Sequence, residues 1–337
     1  MKAWLLKDFG LDNLVRGEVP VPVPQAGELL VKVGAVSLNF RDKAIIDGIY
    51  EPHLVPKDLI PVSDAAGTVV AVGHGVSRFQ VGDRVNSHLY SRWLDGPPGP
   101  DEPAWCIGSP LPGGLAEYMI VHEDSAVRAP AGMSDEEAAT LPIAALTAWY
   151  ALMDVGNLQP DQTVLVQGTG GVSIFAAQTA VAHGARVIAT SSSDANLEKV
   201  KALGVSAGIN YRTCPDWEQD VLALTGGKGA DLTIDVAGGD GLNKSVLATR
   251  TAGIVAQVGF LSGQTAQLQL MPVIFRQTTI RGIAVAPRTS FDRMNPFLDR
   301  HGIKPVIDKV YHFDEAVQAY EHLARGAFGK VVIKVAG

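Results

Sequence analysis

The sequence predicts an α/β protein in which a doubly wound parallel sheet follows a β-rich region. Two observations predict this fold class. From residue 162 onward, short apolar segments alternate with helix-like segments, as in a parallel sheet covered by helices on both faces. The first apolar segment, residues 163–167, ends in a glycine-rich turn and is followed by the helix-like residues 174–183. A strand, a glycine turn and a helix form the opening unit of such a sheet.

The glycine turn also indicates what this unit binds. Gly168 allows a tight turn, and Gly170 leaves room for phosphate groups at the amino terminus of the next helix, where backbone N–H groups attract anions. Ser173 replaces the third glycine of the usual G-x-G-x-x-G spacing and is small enough for close packing of helix on strand. We therefore expect a dinucleotide cofactor bound by Gly168, Thr169, Gly170, Gly171 and Val172.

Length and composition limit the class of protein. A chain of 337 residues suits two domains, and a net charge of -7 argues against nucleic acid as a partner. Only Cys106 and Cys214 are present, so neither a disulfide scaffold nor a four-cysteine zinc site is expected. We see no amino-terminal leader and no long apolar run, which favours a cytoplasmic protein without membrane association.

The first 127 residues have the pattern of a β-rich domain. Short apolar segments at residues 29–33, 67–72 and 115–121 are separated by Pro, Gly and Asp, which predicts a small barrel-like fold. Residues 94–112 contain six prolines and are expected to form a loop of the kind that often acts as a lid or binding element. Ser134, with Glu137 three residues later, predicts a capping box that starts a helix.

The remaining elements are expected to alternate. The predicted strands are residues 186–191, 208–211, 230–236, 253–260 and 279–285, and the predicted helices between them are residues 194–203, 216–224 and 242–251. After residue 290 we expect one helix, a strand at 304–310, a helix at 313–325 and a final strand at 330–335. This last part is expected to return to the first domain.

Five motifs together resemble the medium-chain dehydrogenase/reductase superfamily, and most closely its zinc-independent branch of quinone oxidoreductases and enoyl reductases. They follow one another along essentially the whole chain at residues 39–42 (NFRD), 82–85 (GDRV), 145–149 (ALTAW), 167–173 (QGTGGVS) and 328–330 (FGK). The resemblance implies a Rossmann doubly wound parallel sheet inserted into a GroES-like β-barrel catalytic domain. It places the catalytic domain at 1–131 and 289–337, the Rossmann domain at 132–288, and it implies a homodimer or homotetramer.

The zinc-dependent members of that superfamily carry their metal on a cysteine, a histidine in a GHE motif and a further ligand. In this chain Asn39, Ser63 and Ile143 stand at those positions, and Asp64 follows Ser63. An amide, a hydroxyl and one carboxylate do not make a tetrahedral Cys/His site, so no catalytic zinc is expected. Hydride transfer without a metal then needs an activated acceptor, such as a quinone or a C=C bond conjugated to a carbonyl.

The resemblance also implies candidate site residues. Asn39, Asp42 and Tyr50 lie in a substrate-side segment, and Tyr50 matches a tyrosine that contacts the substrate in enoyl thioester reductases. Two roles stay open for Tyr50, proton donation and simple packing, whereas Asp42 is expected to orient the loop and Arg41. Further cofactor contacts are implied at Asn39, Thr147, Ser191, Ser192, Tyr211, Val258, Phe260 and Lys330.

The end of the second predicted Rossmann strand indicates the form of the cofactor. NAD-selective domains place a carboxylate there for the ribose hydroxyl groups, but residues 190–193 are TSSS and Asp194 comes only at the start of the next helix. Hydroxyl groups suit a 2′-phosphate, and Tyr211 and Arg212 add support, whereas Asn196 stands where relatives commonly carry a lysine. We expect NADPH to be preferred, with NADH possible.

Three functions stay open at this point. The one favoured is a zinc-independent NAD(P)H-dependent oxidoreductase that reduces quinones or α,β-unsaturated carbonyl compounds. One alternative is an NAD(P)-dependent alcohol or aldehyde oxidoreductase. The other is a non-catalytic NADPH-binding protein with a regulatory role.

Overall fold

A computed structural model describes residues 1–335 and divides the chain into two compact units. The first unit contains Met1–Leu146 and the segment that begins at Val285, and the second contains Thr147–Ala284. This division reflects compactness alone, so the domain boundaries expected after residues 131 and 288 stay predictions.

The amino-terminal part of the first unit is β-rich, as expected. Strand β3 is long because its apolar residues continue beyond the predicted residues 29–33, and it forms the centre of this unit. The elements are β1 Lys2–Leu6, β2 Leu14–Glu18, β3 Glu28–Leu38, α1 Phe40–Ile46, β4 Asp64–Val72, β5 Arg84–Asn86, β6 Tyr118–His122, β7 Val127–Arg128 and α2 Asp135–Ala138.

Helix α2 begins with the predicted capping box, in which Ser134 Oγ accepts from the Glu137 N–H and Glu137 accepts from the Ser134 N–H. Helical turns continue from there through α3, Leu146–Trp149, so that residues Asp135–Val155 form one helical stretch. By length and composition this stretch would be able to cross a membrane. However, 72% of its apolar window is buried inside the protein, as in core helices of globular enzymes.

The second unit is a six-stranded parallel sheet in the order β10-β9-β8-β11-β12-β13. Its core includes Leu165, Ile188 and Ile209 on three neighbouring strands. The elements are β8 Thr163–Gln167, α4 Gly171–Ala182, β9 Arg186–Ser191, α5 Asp194–Lys201, β10 Ala207–Asn210, α6 Trp217–Leu224, β11 Ala230–Asp235, α7 Leu242–Ala248, β12 Thr249–Gln257, α8 Leu270–Arg276 and β13 Thr279–Gly282.

Several details of this unit differ from the prediction, and the strands expected at 253–260 and 279–285 already end at Gln257 and Gly282. The helix expected at 242–251 ends at Ala248, because β12 already begins at Thr249, where the Thr233 and Thr249 hydroxyl groups form a 2.7 Å hydrogen bond between neighbouring strands. Helix α8 was not predicted. Its apolar residues point outward, so the sequence shows no buried face with helical period there.

The carboxyl-terminal segment completes the first unit with α9 Arg288–His301, β14 Ile307–His312, α10 Ala316–Arg325 and β15 Lys330–Lys334. The sheet runs β14-β15-β3-β4-β5-β7, and β6 also pairs with β3. Strand β15 lies antiparallel to β3, with Val331 opposite Leu38. The last strand therefore pairs with the centre of the first sheet, and Lys330 comes to lie beside the beginning of α1.

Candidate nucleotide-binding and substrate-side sites

The strand order of the second unit locates its binding edge. The chain runs outward from β8 to β9 and β10, then returns to β11 on the other side of β8. In open parallel sheets ligands bind at the carboxyl ends of the strands next to this switch in direction. The glycine turn follows β8 directly, so the structure places it at that point.

The glycine turn has the conformation that a phosphate cradle needs. Gly168 has a φ of +73°, which favours glycine, and its N–H donates to the Thr190 carbonyl at 2.8 Å. At Gly168 and at Gly170, an added Cβ atom would meet no other atom within 4 Å. Gly170 immediately precedes the twelve-residue helix α4, whose first N–H groups have no partner within the helix. The open space and these donors fit a dinucleotide pyrophosphate.

The other predicted cofactor residues of this unit occupy several positions. Ser191 ends β9, Ser192 follows it, and Tyr211 follows β10, where its N–H donates to the Ser191 carbonyl at 3.1 Å. Val258 and Phe260 follow β12. The structure thus brings these five residues to the carboxyl edge of the sheet, together with the glycine turn. Thr147 lies instead in α3, where its side chain is buried.

A buried polar chain supports this edge, and the sequence analysis did not identify it. Asp235 accepts the N–H groups of Ala237 and Gly238 with one carboxylate oxygen, at 3.0 and 2.9 Å. Its other oxygen accepts the Ser245 hydroxyl at 2.6 Å, and Ser245 Oγ accepts from Gln167 Nε2 at 2.6 Å. The chain therefore links the ends of β11 and β8 just before the glycine turn. A carboxylate at the end of a buried strand was the available signal.

The beginning of α5 is also connected to the glycine turn. Ser193 caps α5, and Asn196 Nδ2 donates to Thr169 Oγ1 at 3.1 Å. Asp194, the first residue of α5, accepts from the Asn210 side chain at 2.8 Å. The Asp194 carboxylate is thus held by Asn210 of β10. The hydroxyl groups of Ser191 and Ser192 lie at the end of β9 and directly after it.

In the first unit, Asn39 and Asp42 begin α1. The Asn39 N–H donates to Asp42 Oδ2 at 2.8 Å, and both side chains are buried. Burial raises the pKa of Asp42, although the neighbouring Arg41 charge lowers it. A carboxylate occupied in this way caps a helix, and the role expected for Asp42 in orienting the loop and Arg41 stays a prediction.

Lys330 joins the same buried cluster. Its Nζ donates to the Leu38 carbonyl at 2.7 Å and to Asn39 Oδ1 at 2.6 Å. Burial lowers the pKa of Lys330, and the carboxylates of Asp64 and Asp42 oppose this effect. Asp64 accepts from Ser63 Oγ and from the Ile143 N–H, both at 3.1 Å, and burial raises its pKa to about 6 although Lys330 opposes the rise.

Tyr50 lies against Arg41. The Arg41 guanidinium is over the Tyr50 ring, 5.2 Å from its centroid, and it also donates to the carbonyl groups of Ile107 and Ser109 at 3.3 and 2.8 Å. Arg41 therefore ties α1 to the proline-rich loop and to the segment that carries Tyr50. Tyr50 itself is half-buried and packs on the core of this unit.

A large cavity of the first unit lies apart from these residues. It measures about 1180 Å³ and lies between the proline-rich loop and β6, with Trp105, Leu111 and Tyr118 among its lining residues. None of Asn39, Asp42 and Tyr50 lines it. The candidate substrate-side residues, in the Asn39 and Tyr50 segments, are therefore separate from this cavity.

Zinc does not fit the residues around Asn39. Within residues 1–335, no group of three or more His, Cys, Asp or Glu side chains is arranged to hold a metal ion. In addition, the Asn39 side-chain oxygen already accepts a bond from the buried Lys330 ammonium. A positive charge at this distance opposes a dication on the same oxygen.

Comparisons with known proteins agree with this geometry. Residues 25–131 match the family model described as alcohol dehydrogenase GroES-like domain, and residues 171–300 match the one described as zinc-binding dehydrogenase. The chain therefore belongs to the medium-chain dehydrogenase/reductase superfamily, as its motifs predicted. It is an NAD(P)-dependent oxidoreductase with a GroES-like domain and a Rossmann sheet.

Several relatives extend over nearly the whole chain. A zinc-type alcohol dehydrogenase-like protein of Schizosaccharomyces pombe is 38% identical over 97% of this chain and 96% of its own length. The 2-methylene-furan-3-one reductase of Solanum lycopersicum is 31% identical over 99% of this chain and 79% of its own length. A chloroplastic quinone-oxidoreductase homolog of Spinacia oleracea is 30% identical over 96% and 95% of the two chains.

Solved structures show the same fold. A Sinorhizobium meliloti protein assigned as an alcohol dehydrogenase is 40% identical with a TM-score of 0.92, over 99% of this chain and 98% of that one. A mycobacterial protein solved in complex with NADPH is 26% identical with a TM-score of 0.84, over 99% and 100% of the two chains.

Proposed function

We propose that this enzyme uses NADPH to reduce an activated acceptor, either an α,β-unsaturated carbonyl compound or a quinone, without a catalytic metal. The observation that carries the proposal is the Lys330–Asn39 pair, with Nζ 2.6 Å from Oδ1 at a position where zinc-dependent relatives carry a metal ligand. Without a Lewis acid, an unactivated alcohol or ketone lacks the group that polarises its oxygen. Two relatives named for an enone reductase and for a quinone oxidoreductase support this substrate class.

Different residues of the chain have different roles in this reaction. The glycine turn and the first N–H groups of α4 would hold the reduced nicotinamide cofactor, which would supply a hydride. Tyr50 orients the carbonyl group of the acceptor and donates a proton to the anion that hydride addition leaves on the acceptor, with its ring held by Arg41. Asn39, Asp42 and Lys330 keep the start of α1 rigid beneath that segment.

The form of the cofactor follows from the end of β9. Ser191 and Ser192 offer hydroxyl groups to a 2′-phosphate, whereas the Asp194 carboxylate accepts a hydrogen bond from Asn210. Lys330 is bonded within the first unit through Leu38 and Asn39, so its predicted contact with the cofactor stays a prediction. The NADPH complex of the mycobacterial relative supports the choice of cofactor.

We also propose a homodimer. Strand β13 forms one edge of the six-stranded sheet, and the neighbouring α8 exposes Leu270, Met271, Ile274 and Phe275. A second copy would pair with that edge and cover the apolar face.

Both cysteines are free thiols, which suits the cytoplasmic location expected from the sequence.

Multiple-turnover oxidation of NADPH with a panel of enones, quinones and aldehydes tests this function. We expect turnover with enones or quinones, and no loss of activity after dialysis against a chelator. Turnover with aldehydes alone would favour the alcohol or aldehyde oxidoreductase alternative. Absence of turnover with every acceptor would contradict the proposed substrate class.

A further inference from the structure

The positions that carry zinc ligands in zinc-dependent relatives surround one carboxylate in this chain. Ser63 Oγ donates to one oxygen of Asp64 and the Ile143 N–H donates to the other, both at 3.1 Å. The neighbouring Asn39 side chain also lowers the pKa of Asp64, against the effect of burial. The fold thus brings these positions together around Asp64. The residues at these positions are not the Cys and His ligands of the zinc-dependent relatives.

A lysine lies at that same point. Lys330 is only 3% exposed, and its ammonium bonds to Asn39 Oδ1 and to the Leu38 carbonyl. Asp42 and Asp64, both fully buried, provide the compensating negative charge. Buried charges are costly unless hydrogen bonds and nearby opposite charges compensate them, and here the two carboxylates favour the charged form of the Lys330 ammonium.

The backbone fixes Lys330 in this place. Lys330 begins β15, which runs antiparallel to β3, so its side chain is delivered to the end of β3 where Asn39 begins α1. Gly329 has a φ of +83°, and an added Cβ there would lie 2.2 Å from the Val306 carbonyl oxygen. Only glycine fits before Lys330, and its close approach to Val306 holds the start of β15 in position.

We propose that the Lys330 ammonium is a built-in cation that takes the place of the metal and keeps the Asn39 site free of divalent ions. The missing Cys and His ligands are then only part of the reason for metal independence. Any dication at Asn39 would have to displace or neutralise a paired, buried ammonium. The inference rests on the metal independence of the proposed function, but its test measures metal content rather than turnover.

Three variants separate the effect of ligand type on zinc binding from the effect of the Lys330 charge. The first carries Asn39→Cys with Ser63→His, which restores two zinc-type ligands while Lys330 stays. The second adds Lys330→Met, which removes the charge at similar length, and the third adds Lys330→Arg instead as the matched control that keeps it. Each protein is incubated with zinc, passed through a desalting column and analysed for bound metal by mass spectrometry.

We expect about one zinc per chain in the variant with Lys330→Met, and essentially none in the other two or in the wild type. If the Lys330→Met variant does not fold without metal, zinc present during refolding should restore a cooperative thermal transition. Zinc bound equally by the variant that keeps Lys330 would overturn the proposal. So would a Lys330→Met variant that neither binds zinc nor refolds with it.

The failure of this inference is distinct from that of the proposed function. Zinc-free turnover of enones by the wild type, together with zinc binding by the Asn39→Cys, Ser63→His variant, would overturn the role of Lys330 alone. Stoichiometric zinc in the wild type, with activity lost on chelation, would overturn the role of Lys330 and the metal independence of the reaction together.

Discussion

The guanidinium of Arg41 lies over the ring of Tyr50, 5.2 Å from its centroid, while its nitrogens bond to carbonyl groups of the proline-rich loop. A planar, multiply anchored cation restricts the positions that the ring can take. Arg41 therefore determines where the Tyr50 hydroxyl lies, although the sequence suggested only that Asp42 orients Arg41.

The first prediction concerns this pair. Tyr50→Phe should lower kcat for enones by roughly ten- to a thousandfold, the range of a lost general acid, and should leave cofactor binding nearly intact. Quinones should be affected less, because the hydroquinone anion takes its proton from water. Stopped-flow kinetics with both acceptors checks this, and an unchanged kcat with enones would return Tyr50 to a packing role.

A double-mutant cycle tests the positioning role of Arg41. Arg41→Met should lower kcat for enones in the wild-type background and have little further effect in the Tyr50→Phe background. Arg41→Lys keeps the charge but not the fork that reaches two carbonyl groups, so it should recover only part of the rate. Equal losses in both backgrounds would show that Arg41 only stabilises the fold.

The second prediction is tighter binding of NADPH than of NADH in a fluorescence titration. Ser192→Asp should reverse the order, because a carboxylate at the end of β9 accepts from the ribose hydroxyl groups and repels a phosphate. Asn196→Lys should widen the preference, even though it removes the 3.1 Å bond to Thr169, because it adds a charged hydrogen bond worth about 1.5 to 3 kcal/mol. Tighter binding of NADH to the unmodified enzyme would refute the phosphate assignment.

The third prediction concerns assembly. We expect a dimer at micromolar concentration in light scattering, and Phe275→Asp should shift the mass to that of a monomer by placing a charge in the apolar face of α8. Phe275 is 72% exposed in the single chain, and Val23, which is 73% exposed on the first unit, provides a matched control as Val23→Asp. A monomeric wild type, or equal effects of the two substitutions, would contradict the proposed interface.

The fourth prediction is a pH dependence that arises from His88. His88 is fully buried and bonds through Nε2 to the Ala286 carbonyl at 2.9 Å, and burial lowers its pKa to about 4. In the unfolded chain the same side chain takes up a proton near pH 6.5, so its contribution to stability is present above that pH and is lost as the pH falls toward 4.

Between pH 7.5 and 5, the wild type should therefore lose about 2 kcal/mol of unfolding free energy relative to His88→Gln. Denaturant titrations at several pH values measure this difference. His53→Gln, at a side chain that is 71% exposed, serves as the control for the substitution itself. Parallel pH curves for the wild type and His88→Gln would contradict the assignment.

The second unit could be predicted because its signals are local. Each strand of a parallel sheet is a continuous apolar segment, and the glycine turn lies within a few residues of β8, so the Rossmann sheet followed directly. Helix α8 was missed for the opposite reason. Its apolar residues point away from its own unit, so no pattern of burial marks it.

The buried cluster of the first unit could not be found in this way. Asn39 and Lys330 are 291 positions apart, and only the pairing of β15 with β3 brings them together. The sequence supplied one hint, a lysine directly before the apolar residues Val331, Val332 and Ile333. Such a residue is ordinarily read as the solvated beginning of a strand, so its burial had to come from the three-dimensional arrangement.

The place of β15 also sets the order in which the enzyme can be completed during synthesis. The whole second unit, Thr147–Ala284, leaves the ribosome before β15 is made, and it is able to close its own core. The sheet of the first unit cannot be completed until β15 has been made, because β15 is the strand between β14 and β3. Until then the carboxylates of Asp42 and Asp64 have no Lys330 beside them, so the buried cluster of the first unit is completed only when the end of the chain has been made.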